Sequence, residues 1–215
     1  MKNYYLLLFL LFGLFGKAQI INFPDANFKA KLLAASPSNT IALDVLGNYV
    51  KIDTNNNSEI EENEVTSIKA LNVQISGISN LGGLTYFINL EDLVCSNNPL
   101  ISLDFSDVNN FSNLKNIDCS GCGLTSLNVE NRTLLNRLIT HYNPSLTSLT
   151  FVSNYNLQFL ICSLNQLTSL DLTQTNVKHL NCSHNNISNI VFNPNITCQS
   201  INLSDNNLSS LNLNF

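Results

Sequence analysis

The densest run of chemically capable side chains lies between residues 53 and 64, which read Asp-Thr-Asn-Asn-Asn-Ser-Glu-Ile-Glu-Glu-Asn-Glu. Five of the fifteen acidic residues fall in this window. Oxygen groups crowded in this way repel one another, and a hard cation would relieve the repulsion; an acidic, Asn-rich turn capping the next helix is the competing explanation. Two further groupings invite chemistry. Cys119-Ser-Gly-Cys122 has the spacing of a redox or zinc dyad, and His179, Cys182 and His184 fall close together. A Ser nucleophile elbow, a phosphate-cradling Gly loop and a hydrolytic acid pair are all missing, so the sequence reads as that of a protein that is not an enzyme.

The chain that must position these residues has 215 residues, 44% of them hydrophobic and 12% charged. Such a composition excludes a disordered tail or a collagen. With 36 Leu and 37 Asn, two residue types make up a third of the sequence, which points to an internal repeat. A net charge of −5 supplies no basic field for phosphates, so no nucleic acid is expected as a partner. Residues 1–18 read as a secretory signal: Lys2, an apolar run from Leu6 to Phe15, then Gly16-Lys17-Ala18 with small Gly16 and Ala18 third from and next to the cleavage site after Ala18. The run is too short to span a bilayer comfortably, and no Cys follows it to accept a lipid anchor. The protein is therefore expected to be secreted or at the cell surface, with no membrane span.

From Ile68 onward the chain can be written in lines of the form LxxLxCxxNxLxxLxF. One line holds Leu90, Leu93, Cys95, Asn98, Leu100, Leu103 and Phe105, and a degenerate first line holds Ile68, Leu71, Val73, Ser76, Ile78, Leu81 and Leu84. Seven lines fit, starting 22, 24, 21, 22, 20 and 21 residues apart, and the fourth carries one extra residue before Leu146. The LxxLxC stretch alternates as a strand does, and the Asn place turns the chain while satisfying buried backbone groups. No single line can bury its own Leu row, so neighbours must stack.

These lines resemble leucine-rich repeats, specifically those of secreted bacterial, internalin-like proteins, over residues 68–215. The resemblance implies a repeat solenoid, α/β or mainly β: a right-handed coil with a parallel sheet on its concave face and a small helical N-terminal cap over residues 19–67. Pro24-Asp25 with Phe28, Leu32 and Leu33 fits the capping helix, ending before Pro37. Within the cap, residues 53–64 resemble an EF-hand calcium loop. Calcium would then be held by Asp53, Asn55, Asn57, Glu59 through its carbonyl, Glu61 and Glu64, with Ile60 at the loop's apolar place. Ser58 stands where the family has Gly, and the stretch Leu43 to Ile52, with Gly47, makes a poor entering helix.

The repeat register also reassigns the other groupings. Cys95, Cys119, Cys162 and Cys182 fall in one inward column as small hydrophobes, Cys122 takes an Asn place and Cys198 a Leu place, which favours reduced packing thiols over three disulfides. His179 points outward while Cys182 points inward, so the histidine grouping does not converge. Outward positions fall at the third, fifth, seventh and eighth places of a line. In the fourth to sixth lines these are Arg137, Ile139, His141 and Tyr142, then Phe159, Ile161, Ser163 and Leu164, then His179, Asn181, Ser183 and His184. This mix of aromatic, aliphatic and imidazole groups with one Arg matches binding hot spots, and ligand contact is expected at all of them except the small Ser163, Asn181 and Ser183. The resemblance implies binding or adhesion to a protein or surface glycan. A surface spacer without a ligand, or a non-catalytic fragment of a larger secreted enzyme, is the alternative. The sequence stops within its seventh line without a polar terminal cap. It is thus expected either to continue, in relatives of this kind into a sorting domain, or to self-associate through the open C-terminal edge.

Overall fold

The computed structural model of the protein describes residues 19–195 and 197–211. The expected signal segment, and Leu213 at the end of the seventh line, lie outside the described residues.

The cap begins with helix α1 (Ala26–Leu33). Asp25 starts it, because one carboxylate oxygen accepts the backbone N–H groups of Asn27 and Phe28 at 2.9 and 3.0 Å, two of the helix's four orphan donors. Phe28 and Leu32, one turn apart, are fully buried. Strand β1 (Ala42–Asp44) follows. The stretch that makes a poor entering helix is a strand and a tight return: Asp44 accepts from the N–H groups of Leu46 and Asn48, Gly47 takes φ +89°, and Tyr49 bridges back to Leu43. Helix α2 (Glu62–Val65) closes the cap with a capping box between Glu61 and Glu64.

The coils follow as β2 (Ile68–Asn72), β3 (Asp92–Val94), β4 (Ser102–Asp104), β5 (Asn116–Asp118), β6 (Ser126–Asn128) and β7 (Arg137–Ile139). Then come β8 (Phe159–Ile161), β9 (Ser169–Leu172), β10 (His179–Asn181), β11 (Asn189–Phe192) and β12 (Ser200–Asn202). One eight-stranded sheet runs β1-β2-β3-β5-β7-β8-β10-β12, parallel throughout except where β1 pairs antiparallel with β2. Its register is that of the repeat lines, for Leu71, Leu93, Ile117, Leu138, Leu160, Leu180 and Ile201 are successive partners across it. On the back, β4 pairs with β6 and β9 with β11. The fourth coil, with its extra residue, adds no strand between them, and the back sheet is split in two. The fold is a leucine-rich-repeat solenoid with a small, partly helical cap.

Between the two sheets runs one apolar core, which includes the column Val73, Cys95, Cys119, Cys162 and Cys182, all fully buried, with fully buried Thr140 in the fourth coil. All six cysteines are free thiols. Beside that column stands a ladder of carboxamides. Asn98, Asn143, Asn165, Asn185 and Asn206 each donate through Nδ2 to a carbonyl of their own coil and one of the coil before. Each also accepts, through Oδ1, an N–H of the preceding coil; Asn143 takes those of Cys122 and Leu124 at 3.1 and 3.0 Å. At about 1 kcal/mol net per bond, the bonds that each Asn makes to the coil before it contribute about 2–3 kcal/mol to stacking. Among the described residues no helix is long and apolar enough to cross a membrane.

Candidate functional site

Strand alternation turns every second side chain of the large sheet away from the core, and the parallel register lines these up in two columns. One runs Ala70, Asp92, Asn116, Arg137, Phe159, His179 and Ser200; the other runs Asn72, Val94, Asp118, Ile139, Ile161, Asn181 and Asn202. Of the expected contact residues, Arg137, Ile139, Phe159, Ile161 and His179 therefore do share the open sheet face. They form a continuous assembly. The Phe159 and His179 rings stack with centroids 4.5 Å apart and 7° between planes, and the Arg137 guanidinium lies 5.9 Å from the Phe159 centroid. Beside the stack is a cleft of about 190 Å³ bounded by Ile161, Asn181 and Ser200.

The seventh and eighth places lie elsewhere than expected. The strands end before them, and Tyr142, Leu164 and His184 occupy left-handed turns with φ of 58°, 56° and 54°. They belong to a rim with one such residue in every coil: Ile75, Asn97, Gly121, Tyr142, Leu164, His184 and Asp205. They lie past the ends of the strands, with Tyr142 and His184 exposed and Leu164 partly so. Ser163 and Ser183, read as outward, are buried, because the chain has already begun to turn toward the core. His141 is half-buried, its Nδ1 2.9 Å from the Ser163 hydroxyl. Gly121 opens a gap in the rim, a pocket of about 460 Å³ walled by Pro99, Tyr142 and Pro144 with Cys122 at its floor.

Cys122 stands in the Asn place of its coil and imitates it, its thiol donating to the Cys95 and Ser120 carbonyls. A hydrogen bond from Cys95, supported by backbone N–H groups of Asn98 and Asn97, holds the Cys122 thiol below the ordinary range although burial opposes this. Burial pushes the Cys119 thiol up.

In the cap, residues 53–64 fold into a closed ring of hydrogen bonds. Asp53 accepts from the N–H groups of Asn57 and Ser58, while Glu61 accepts from the side-chain amides of Asn55 and Asn57 at 3.1 and 2.6 Å. Glu64 accepts from the Thr54 N–H and hydroxyl at 2.7 and 2.8 Å, and its second oxygen takes the Glu61 N–H. Burial raises the Glu64 carboxyl, but bonds from Glu61 and Thr54 outweigh it and hold the group below its ordinary value. Ser58 adopts φ +65°, the conformation that Gly would supply. Glu59 turns its side chain away to Lys29, 2.6 Å distant. Hydrogen bonds thus join Asp53, Asn55, Asn57, Glu61 and Glu64 into one network, each of their side-chain oxygens engaged by N–H or O–H groups. Among the described residues, no three His, Cys, Asp or Glu side chains are grouped so as to hold a metal ion.

Two residues gain roles that the repeat lines do not announce. Asp25 turns its second oxygen to the N–H and hydroxyl of Ser79 at 2.7 and 2.8 Å and to the Asn80 N–H, fastening cap to first coil. Arg132 is 2% exposed, with Nη1 2.5 Å from the Asn110 carbonyl, Nη2 near that of Ser106, and Nε without a partner. Burial lowers its pKa against the opposing charge of Asp107.

The sequence matches no family model and no curated protein. Among solved structures it is similar to the functional domain of InlJ from Listeria monocytogenes, which includes a cysteine ladder, at 22% identity and a TM-score of 0.47. The match covers 91% of this chain and 50% of that one, so the chain spans about half the length of this neighbour.

Proposed function

We propose that this solenoid is a secreted binding module that holds a protein partner on its open sheet face. The observation that carries the reading is the Arg137–Phe159–His179 column beside Ile139, Ile161 and the cleft: aromatic, aliphatic and guanidinium groups turned away from the core on rigid strands, as at interface hot spots. Rigid strands also spare a partner the cost of ordering the site. Tyr142 and Leu164 extend the apolar surface over the rim. Within this reading the loop 53–64 is a calcium site that stiffens the cap, and its oxygen donor set and the left-handed Ser58 support that.

The test is capture from a surface extract by the immobilised chain and by Phe159→Ala and Tyr142→Ala variants that melt as the parent does. Capture that each variant weakens by more than about 1 kcal/mol, and that protease treatment of the extract abolishes, is the expected result. Capture that survives protease and is lost on periodate oxidation assigns a glycan instead. If both variants capture as the parent does, the site is not on this face.

A further inference from the structure

The open sheet face is divided along its length. Asp92 on β3 and Asp118 on β5 stand on neighbouring strands, and neither has a cationic partner within the described residues: Asp92 accepts from the Asn116 side chain, and Asp118 from the Ser120 N–H and hydroxyl. Of the basic groups beside that margin, Lys115 is paired with Glu91 at 2.9 Å, and Arg137 on the next strand lies toward the Phe159 ring. Beyond Arg137 the next two strands carry no charge on this face but the stacked Phe159 and His179 and the small cleft, sized for one side chain. Two carboxylates without a cationic partner therefore lie at one end and an apolar socket at the other.

We propose that the occupant of this face is an extended polypeptide segment with a Lys or Arg over Asp92 and Asp118 and, four residues away, an apolar side chain in the cleft beside Phe159 and His179. The spacing follows from the sheet. The midpoint of β3 and β5 and that of β8 and β10 are three strands apart, roughly 14 Å at about 4.8 Å per strand, which an extended chain covers in about four residues. Residues four apart in such a chain also point to the same side, so both can face the sheet. The inference rests on the sheet-face reading above and adds the chemistry of the partner.

Panning random linear peptides displayed on phage against the immobilised chain tests it. Enrichment of Lys or Arg four places from Phe, Tyr, Leu, Ile or Met, in either chain direction, is expected. A selected peptide should bind about tenfold more weakly to the Asp92→Asn, Asp118→Asn double variant, which keeps side-chain shape, and about tenfold more weakly to Phe159→Ala. Added salt should weaken binding to the parent far more than to the double variant. Peptides that lose binding on Phe159→Ala but show no basic preference overturn this inference and leave the sheet-face reading standing. Peptides indifferent to all three substitutions overturn both, and a panning that enriches nothing overturns the extended-segment occupant.

Discussion

Cap and coils meet the same requirement, the satisfaction of N–H groups where the chain turns inward, with different chemistry. In the cap the buried acceptors are carboxylates: Asp25, Asp53, Glu61 and Glu64. In the coils they are the carboxamides of Asn98, Asn143, Asn165, Asn185 and Asn206. The neighbours explain the difference. Asp25 is met by N–H and O–H groups alone, so a group that only accepts serves it fully. A ladder Asn lies between N–H groups on one side and carbonyls on the other, and only a group that both donates and accepts can satisfy both. A ladder of charges one strand spacing apart would also repel itself. Among buried acceptors, charge therefore serves the cap and neutral amides the recurring ladder, while at the less buried strand ends Asp104, Asp118 and Asp171 and their Asn counterparts serve alike.

Exchanging the two chemistries should break this division. Asn143→Asp sets a buried carboxylate against the Cys119 and Thr140 carbonyls and should cost roughly 3–5 kcal/mol, or fold only with the acid protonated, as urea unfolding at pH 5 and pH 8 would reveal. Asp25→Asn turns an amide toward donors and should cost about 2 kcal/mol, seen as earlier loss of amide protection in α1 than in β8. Acid should imitate it. The Asp25 and Glu64 carboxyls are held below their ordinary 3.8 and 4.5, so their contribution is complete above that range and is lost as pH falls through and below it. Hydrogen exchange near pH 3 should find the cap open before the coils. Calcium at about a hundred times its dissociation constant should add roughly 2.7 kcal/mol to the cap's stability, an effect to be lost in Asn57→Ala; identical melting with the ion and with chelator would remove calcium from the account. Last, Cys122→Asn restores the ladder and should stabilise by about 1 kcal/mol, while removing the thiol that maleimide would label ahead of the buried Cys119.

The coils were legible because their physics is periodic. A Leu that must meet its counterpart one strand away leaves a mark at every repeat, and all seven strand registers, the Cys column and the Asn place could be read from Ile68 onward. The helix after Asp25 was legible through its cap and its Phe28/Leu32 spacing. What escaped notice was aperiodic or conformational. The strand Ala42–Asp44 is held by a tertiary pairing with β2, which no local signal in a stretch containing Gly47 reports. Tyr142, Leu164 and His184 sit on the rim because of a left-handed turn that non-glycine side chains conceal. On the sheet itself, strand alternation placed Arg137, Ile139, Phe159, Ile161 and His179 correctly. Arg132 lies between the repeat lines, where its burial leaves no pattern to read.

The ladder also gives the stack a direction. Each Asn spends its oxygen on the coil before it, as Asn98 does on Ser76 and Ile78 and Asn206 on Ile187, so a coil followed by a ladder Asn relies on its successor for a hydrogen bond that it cannot make alone. Losing a coil strips from the one that precedes it both a carboxamide oxygen and backbone carbonyls such as that of Val94, and takes from the N–H groups of the one that follows only carbonyls, such as that of Glu91. The cap, fastened through Asp25 to the first coil, closes the stack at the end where no earlier coil waits for a carboxamide.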